Sequence, residues 1–283
     1  MSLAEAELEE QRSNNRSALP YRDEFAGHRA RLTDLVARAA PERGRLCVLG
    51  AGNCYDLDLP RLARSYTEVH LVDIDEEALG AAVAGQDEET RARLVLHAPV
   101  DLSALQGRLE NWAQMRVTEQ ELVNQPRLGA AEIGQAIGGT FEVVVSACVF
   151  TQMQLWLVRV LSDQHPLFEA ARITLSVTHL RTLGALLAPG GRALFVTDSS
   201  SDLIAPLDEL SKKLSPLHMV EQLTLSGAIF QVTDARLLAQ LVKDDPVLRK
   251  QVAVSGPTDA WLWRNGPERL LLVYALELAA RPA

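Results

Sequence analysis

The sequence predicts a doubly wound α/β sheet, mostly parallel, closed by an antiparallel hairpin. Three observations carry this. Short apolar runs alternate with helical segments five times between residues 45 and 198, the pattern of parallel strands covered on both faces. A glycine turn, Gly50-Ala51-Gly52, follows the first of these runs. Near the C-terminus two apolar runs flank Asn265-Gly266, a strong hairpin signal.

Residues 1–17 are polar and read as a frayed tail. In YRDEFAGHRARLTDLVARAA (21–40), Phe25, Leu32, Leu35, Val36 and Ala39 recur at helical spacing. Pro20 suits that helix's start, and Pro41 to Gly44 its end. RLCVLG (45–50) is a buried strand and LDLPRLARSY (57–66) a helix entered near Asp56 to Pro60. EVHLVD (68–73) is the second strand. Asp75 then caps a helix whose first turn carries Glu76 and Glu77. ARLVLHAPV (92–100) and FEVVVSAC (141–148) supply strands three and four.

The helix FTQMQLWLVRVLSD (150–163) follows, with Phe150, Met153, Trp156, Leu157, Val160 and Leu161 on one face. A long helix (168–188) leads into PGGRALFVTD (189–198), the fifth strand. Right-handed crossovers then fix the winding. Residues 102–140 are too long for a plain connection and predict a helical insertion. Ser103 with Gln106, and Thr118 with Glu121, match capping boxes there. The expected organisation is a tail and cap helix over 1–45 and one domain over 46–283.

The chain has 283 residues and a net charge of -9. That length supports a full hydrophobic core. The charge argues against a nucleic-acid surface, which needs basic residues on one face. Cys47, Cys54 and Cys148 form no ligand pattern, and the odd count predicts free thiols in a reducing, cytoplasmic setting. No metal site and no membrane span are expected.

A glycine turn after a strand lets a ligand approach the backbone. Tyr55 occupies the place of the third glycine in the dinucleotide pattern G-x-G-x-x-G. Asp73 ends the second strand about twenty residues on, where an acid can accept ribose hydroxyls. Its alternative use is to cap the next helix, for which Asp75 is better placed.

Together, VLGAGNCYDLDL, VHLVDIDEEAL, LHAPVDL, FEVVVSACVFTQM, LLAPGGRALFVTD and the terminal hairpin resemble the Rossmann-like class I S-adenosylmethionine-dependent methyltransferases. The resemblance spans 46–278 and rests on the order and spacing of these segments. It implies S-adenosylmethionine as cofactor and a small-molecule acceptor. It places Gly50, Ala51 and Gly52 under the donor's methionine and ribose, Asp73 on the ribose, and Ile74 against the adenine. Asp101, flanked by Val100 and Leu102, would turn its carboxylate to the exocyclic amine. Ser146, Ala147 and Cys148 would border the methionine end.

The sequence departs from the family pattern twice. Val48 stands where an acid often precedes the first glycine, so another residue must serve the donor's amino group. Cys54 stands at the third glycine. No catalytic residue follows from the resemblance. Gln152, His179 and Asp198 are candidates for the acceptor side, each with a structural alternative: a solvated helix residue, a packed histidine and a turn. Cys148 reads as a small lining residue. Trp261 and Trp263 alternate as strand packing residues. The insertion and the N-terminal helix, with Tyr21 and Arg22, read as a lid or as the interface of a homodimer. The rival functions are a nicotinamide-dependent oxidoreductase and an adenosyl-ligand sensor without turnover.

Overall fold

The computed structural model describes residues 2–41, 44–266 and 269–282. Helices α1 (Leu3–Ala18) and α2 (Ala26–Arg38) precede strand β1 (Arg45–Leu49). Then follow α3 (Leu59–Ser65), β2 (Glu68–Val72), α4 (Glu76–Ala84), α5 (Glu88–Arg91) and β3 (Leu94–His97). Helices α6 (Leu109–Ala113) and α7 (Glu119–Ile137) lead to β4 (Phe141–Ala147). After it come α8 (Phe150–Leu161), α9 (Phe168–Ala185) and β5 (Leu187–Ser201). Four helices, α10 (Leu207–Ser211), α11 (Pro216–Ser226), α12 (Ala235–Asp244) and α13 (Leu248–Gln251), precede β6 (Val252–Arg264) and β7 (Leu270–Ala280).

The seven strands form one sheet in the order β3-β2-β1-β4-β5-β7-β6. β1 to β5 are parallel, and β7 runs antiparallel between β5 and β6. This is the expected doubly wound sheet with its terminal hairpin. Asn265 N–H donates to the Arg269 carbonyl at 2.8 Å and closes the hairpin; Pro267 and Glu268 lie outside the described residues. Each face of the sheet buries its own core. One gathers Leu105, Trp112, Phe150, Phe195 and Leu223; the other gathers Leu32, Val48, Leu62, Val145 and Trp263. Strands buried on both faces explain why the sequence reads as continuous apolar runs. Among the described residues no helix is long and apolar enough to cross a membrane.

Two expectations change. The N-terminal tail is a helix, not frayed: Ser2 caps α1 and Glu5 returns the bond to the Ser2 N–H. In the 102–140 segment, helical as expected, the predicted Ser103 cap starts no helix. Asp101 organises that turn instead, accepting N–H bonds from Ser103, Leu105 and Gln106 at 2.8, 3.0 and 2.8 Å. Thr118 and Glu121 do form the capping box of α7. That helix connects β3 to β4, and Leu105, Leu109, Trp112, Ile133 and Ile137 are buried in the core. The segment is part of the sheet's cover rather than a detachable flap.

Candidate functional site

The order of strands reverses between β1 and β4, and a crevice opens there above the carboxyl ends of the strands. Gly50 (φ 77°) and Gly52 (φ 49°) shape its floor. A Cβ on Gly50 would lie 2.3 Å from the Val149 Cβ, so only glycine fits against the β4–α8 connection. Cys54, at the third-glycine position, also takes a positive φ of 56°, and Cys148 one of 51°. Left-handed backbone costs a side-chain-bearing residue about 1–2 kcal/mol. Both cysteines are buried, Cys54 in the turn after β1 and Cys148 just after β4.

Asp73 links the turn to β2. Its carboxylate accepts the Gly52 N–H at 2.7 Å and the Asp75 N–H at 3.0 Å, while Asp75 caps α4 through the Ala78 N–H at 3.1 Å. Burial and the neighbouring Asp75 raise the pKa of Asp73, and those N–H bonds pull it down. Gly50, Gly52, Asp73, Ile74, Val100, Asp101 and Leu102 share one cleft with Gln152, Met153 and Val149. The structure thus brings together most of the residues predicted for the donor, and one of the acceptor candidates.

Other predicted residues lie outside the cleft or, like Asp101, are already engaged within it. The Ser146 hydroxyl points into the core and meets His179 Nε2 at 2.8 Å. His179 is fully buried between Phe150 and Phe195, and burial lowers its pKa to about 4. It is a packed core histidine, because the helix face carrying it turns toward the sheet. Ala147 and Cys148 are buried at the end of β4. Asp198 is buried and accepts a hydrogen bond from the Thr151 hydroxyl. Asp101 already receives four hydrogen bonds from Ser103, Leu105 and Gln106, so its carboxylate is committed to the turn. Trp261 and Trp263 pack against His28, and Trp263 against Phe25.

Helix α1 supplies residues that sequence reasoning missed. Glu7, Gln11 and Asn15 reach into the cleft and leave only about 80 Å³ free. A Cβ on Gly52 would lie 3.1 Å from Asn15 Oδ1. Asn15 donates to Asp75 at 2.8 Å, its carbonyl accepts from Asn53 at 3.3 Å, and Gln106 donates to Glu7 at 3.1 Å. Burial, and then the charge of Asp101, raise the Glu7 pKa to about 7. Asn15 also lines a larger cavity of about 650 Å³, bounded by Arg12, Asn53, Tyr55, Asp75 and Ala78. Arg22 lines that cavity rather than the cleft. Asn15 is thus shared by the linings of both spaces.

No family model matches the sequence, and no curated protein matches it. Solved structures do. An O-methyltransferase family protein from Burkholderia thailandensis is 14% identical over 93% of this chain and 60% of its own, with a TM-score of 0.43. This chain therefore spans 60% of that protein's length. The N-methyltransferase NodS from Bradyrhizobium japonicum is 12% identical over 91% of this chain and 98% of its own, with a TM-score of 0.42. A TehB-like S-adenosylmethionine-dependent methyltransferase from Corynebacterium glutamicum is 16% identical over 93% and 97%, with a TM-score of 0.41. The sheet itself decides the fold, through its strand order and the antiparallel β7 between β5 and β6. This is the class I methyltransferase fold. Within it the crevice at β1 and β4 is the cleft described above.

Proposed function

We propose that the protein is an S-adenosylmethionine-dependent methyltransferase acting on a small molecule. The observation that carries this is the charge of the cleft. Asp73 and Asp101, which remain when α1 withdraws with Glu7, line it, and no Lys, Arg or His does among the described residues. An acid-lined crevice attracts a cationic sulfonium and repels the anionic pyrophosphate of a dinucleotide. Tyr55 at the third-glycine position points the same way. The buried free cysteines suit a reducing cytoplasm.

When bound, the donor supplies its own activated methyl group. The chain's part is to bind, align and exclude water. On this reading Gly50, Ala51 and Gly52 admit the donor to the backbone, Asp73 accepts its ribose hydroxyls, and Ile74, Val100 and Leu102 pack its adenine. Ala147 and Cys148 close the methionine end. Gln152, exposed at the first turn of α8 beside the cleft, is the acceptor-side candidate that the geometry favours. With about 80 Å³ free, α1 must leave the cleft before a donor enters, since small-molecule sites occupy roughly 300–1,000 Å³.

The test is turnover of methyl-labelled donor against a panel of small amines, phenols and carboxylates. Labelled product is expected from at least one class. Donor binding with no product from any of them supports the sensor reading instead.

A further inference from the structure

The larger cavity, about 650 Å³, shares only Asn15 with the donor cleft. Its volume falls within the roughly 300–1,000 Å³ of small-molecule sites. Two walls enclose it. The C-terminal half of α1 and the turn after it bring Arg12, Arg16, Leu19 and Arg22. The loop after β1 and helix α4 bring Tyr55, Leu57, Ala78 and Ala81.

Two of the four arginines around this cavity are engaged. Arg29 Nη1 donates to the Tyr55 and Arg22 carbonyls at 2.6 and 3.4 Å, and Arg16 donates to Glu9 at 2.6 Å. Arg12 and Arg22 make only long ion contacts among the described residues. Asp75 and Glu77 oxygens lie 3.8 and 4.0 Å from Arg12, and an Asp23 oxygen 3.8 Å from Arg22, beyond hydrogen-bond reach. Asp75 instead accepts from Ala78 and Asn15 at 3.1 and 2.8 Å, while Asp23 and Glu77 stand in solvent. The buried Nε of Arg12 has no hydrogen-bond partner. A buried donor left unmade is costly, and a guanidinium fork matches the two oxygens of one carboxylate.

The rest of the lining is apolar, and Leu19 keeps 54% of its surface exposed at this cavity. Such walls gain from covering an apolar body and give nothing to a bare ion. We propose that the cavity binds a small organic carboxylate. Arg12 grips its oxygens, Arg22 adds positive charge, and Leu19, Tyr55, Leu57 and Ala81 cover its body. The site is separate from the donor cleft and stands whether or not the protein transfers methyl groups.

Calorimetry with three probes tests this. Decanoate, below the concentration at which it forms micelles, carries both the charge and the apolar body. Decanamide keeps the body without the charge, and inorganic phosphate offers the charge without the body. Decanoate should bind the full chain at least about tenfold more tightly than either of the others.

Arg12→Gln should weaken decanoate at least about tenfold, and Arg12→Lys, which keeps the charge but not the fork, should recover part of it. Ala81→Trp keeps every arginine and fills the space from the other wall; Ala81 is exposed, so the core is untouched. It should also weaken decanoate, with an unfolding transition like that of the wild type. No binding of decanoate, or equal binding of decanamide, overturns the proposal. So does phosphate binding as tightly as decanoate, which marks a bare-ion contact. Unchanged decanoate affinity in both Arg12→Gln and Ala81→Trp places the ligand elsewhere and overturns it as well.

Discussion

Asp73→Ala should lose S-adenosylhomocysteine binding by a factor of about a hundred or more. Hydrogen bonds to a charged group contribute about 1.5–3 kcal/mol each, and the reading gives Asp73 two to the ribose. The structure adds a second cost. The same carboxylate holds the N–H groups of Gly52 and Asp75. The variant should therefore also lose about 3–6 kcal/mol of unfolding free energy, on the same scale of bond strength for two bonds. Asp73→Asn, which keeps one acceptor oxygen, should recover part of the stability and little of the affinity. Calorimetry and denaturant titration separate the two effects. An alanine variant with wild-type affinity contradicts the ribose assignment.

Removing residues 2–18 should tighten S-adenosylhomocysteine by about tenfold to a hundredfold. The helix is held by Asn15 on Asp75, Gln106 on Glu7, and the pair of Arg159 with Glu10. At about 1 kcal/mol net for each hydrogen bond, the two part-buried hydrogen bonds alone approach that range. The sign of the pH dependence follows from Glu7. Its pKa is raised from 4.5 to about 7 in the folded protein, so docking of α1 is strongest below 4.5 and weakens as pH rises through about 7. The affinity of the full chain should approach that of the truncated chain with rising pH. If truncation weakens binding, α1 is a wall of the bound site, not a plug in the empty one.

The parallel part of the sheet was legible because β1 to β4 are short apolar runs separated by helical segments. Asp75, Asp58 and Thr118 cap α4, α3 and α7 through side-chain oxygens, and each stands where composition marks a helix start. Helix α1 was not legible because it has almost no apolar stripe: Glu7, its buried residue, is an acid. The Ser2–Glu5 capping box was its one local signal. At the site, glycines and Asp73 were readable from spacing. The inward turn of Ser146 and His179 was not, since a strand's two faces are told apart only by what packs on them. Asp101 likewise looked free in sequence, and its role in the following turn needs backbone geometry. Between β5 and β6, α12 keeps an apolar stripe of Ala235, Leu238 and Val242 that periodicity could have found, whereas α10 and α13 are single turns too short to show a period.

The most direct test of the account compares S-adenosylhomocysteine with NAD by thermal shift at equal concentration. A ligand bound only by the folded state adds RT ln(1 + [L]/Kd), about 2.7 kcal/mol at a hundredfold excess. For a chain of this size each kcal/mol raises Tm by roughly 2–4 °C. The acid-lined cleft predicts a rise of several degrees with S-adenosylhomocysteine and little with NAD. A rise with NAD and none with S-adenosylhomocysteine would contradict the methyltransferase reading and put the dinucleotide reading in its place.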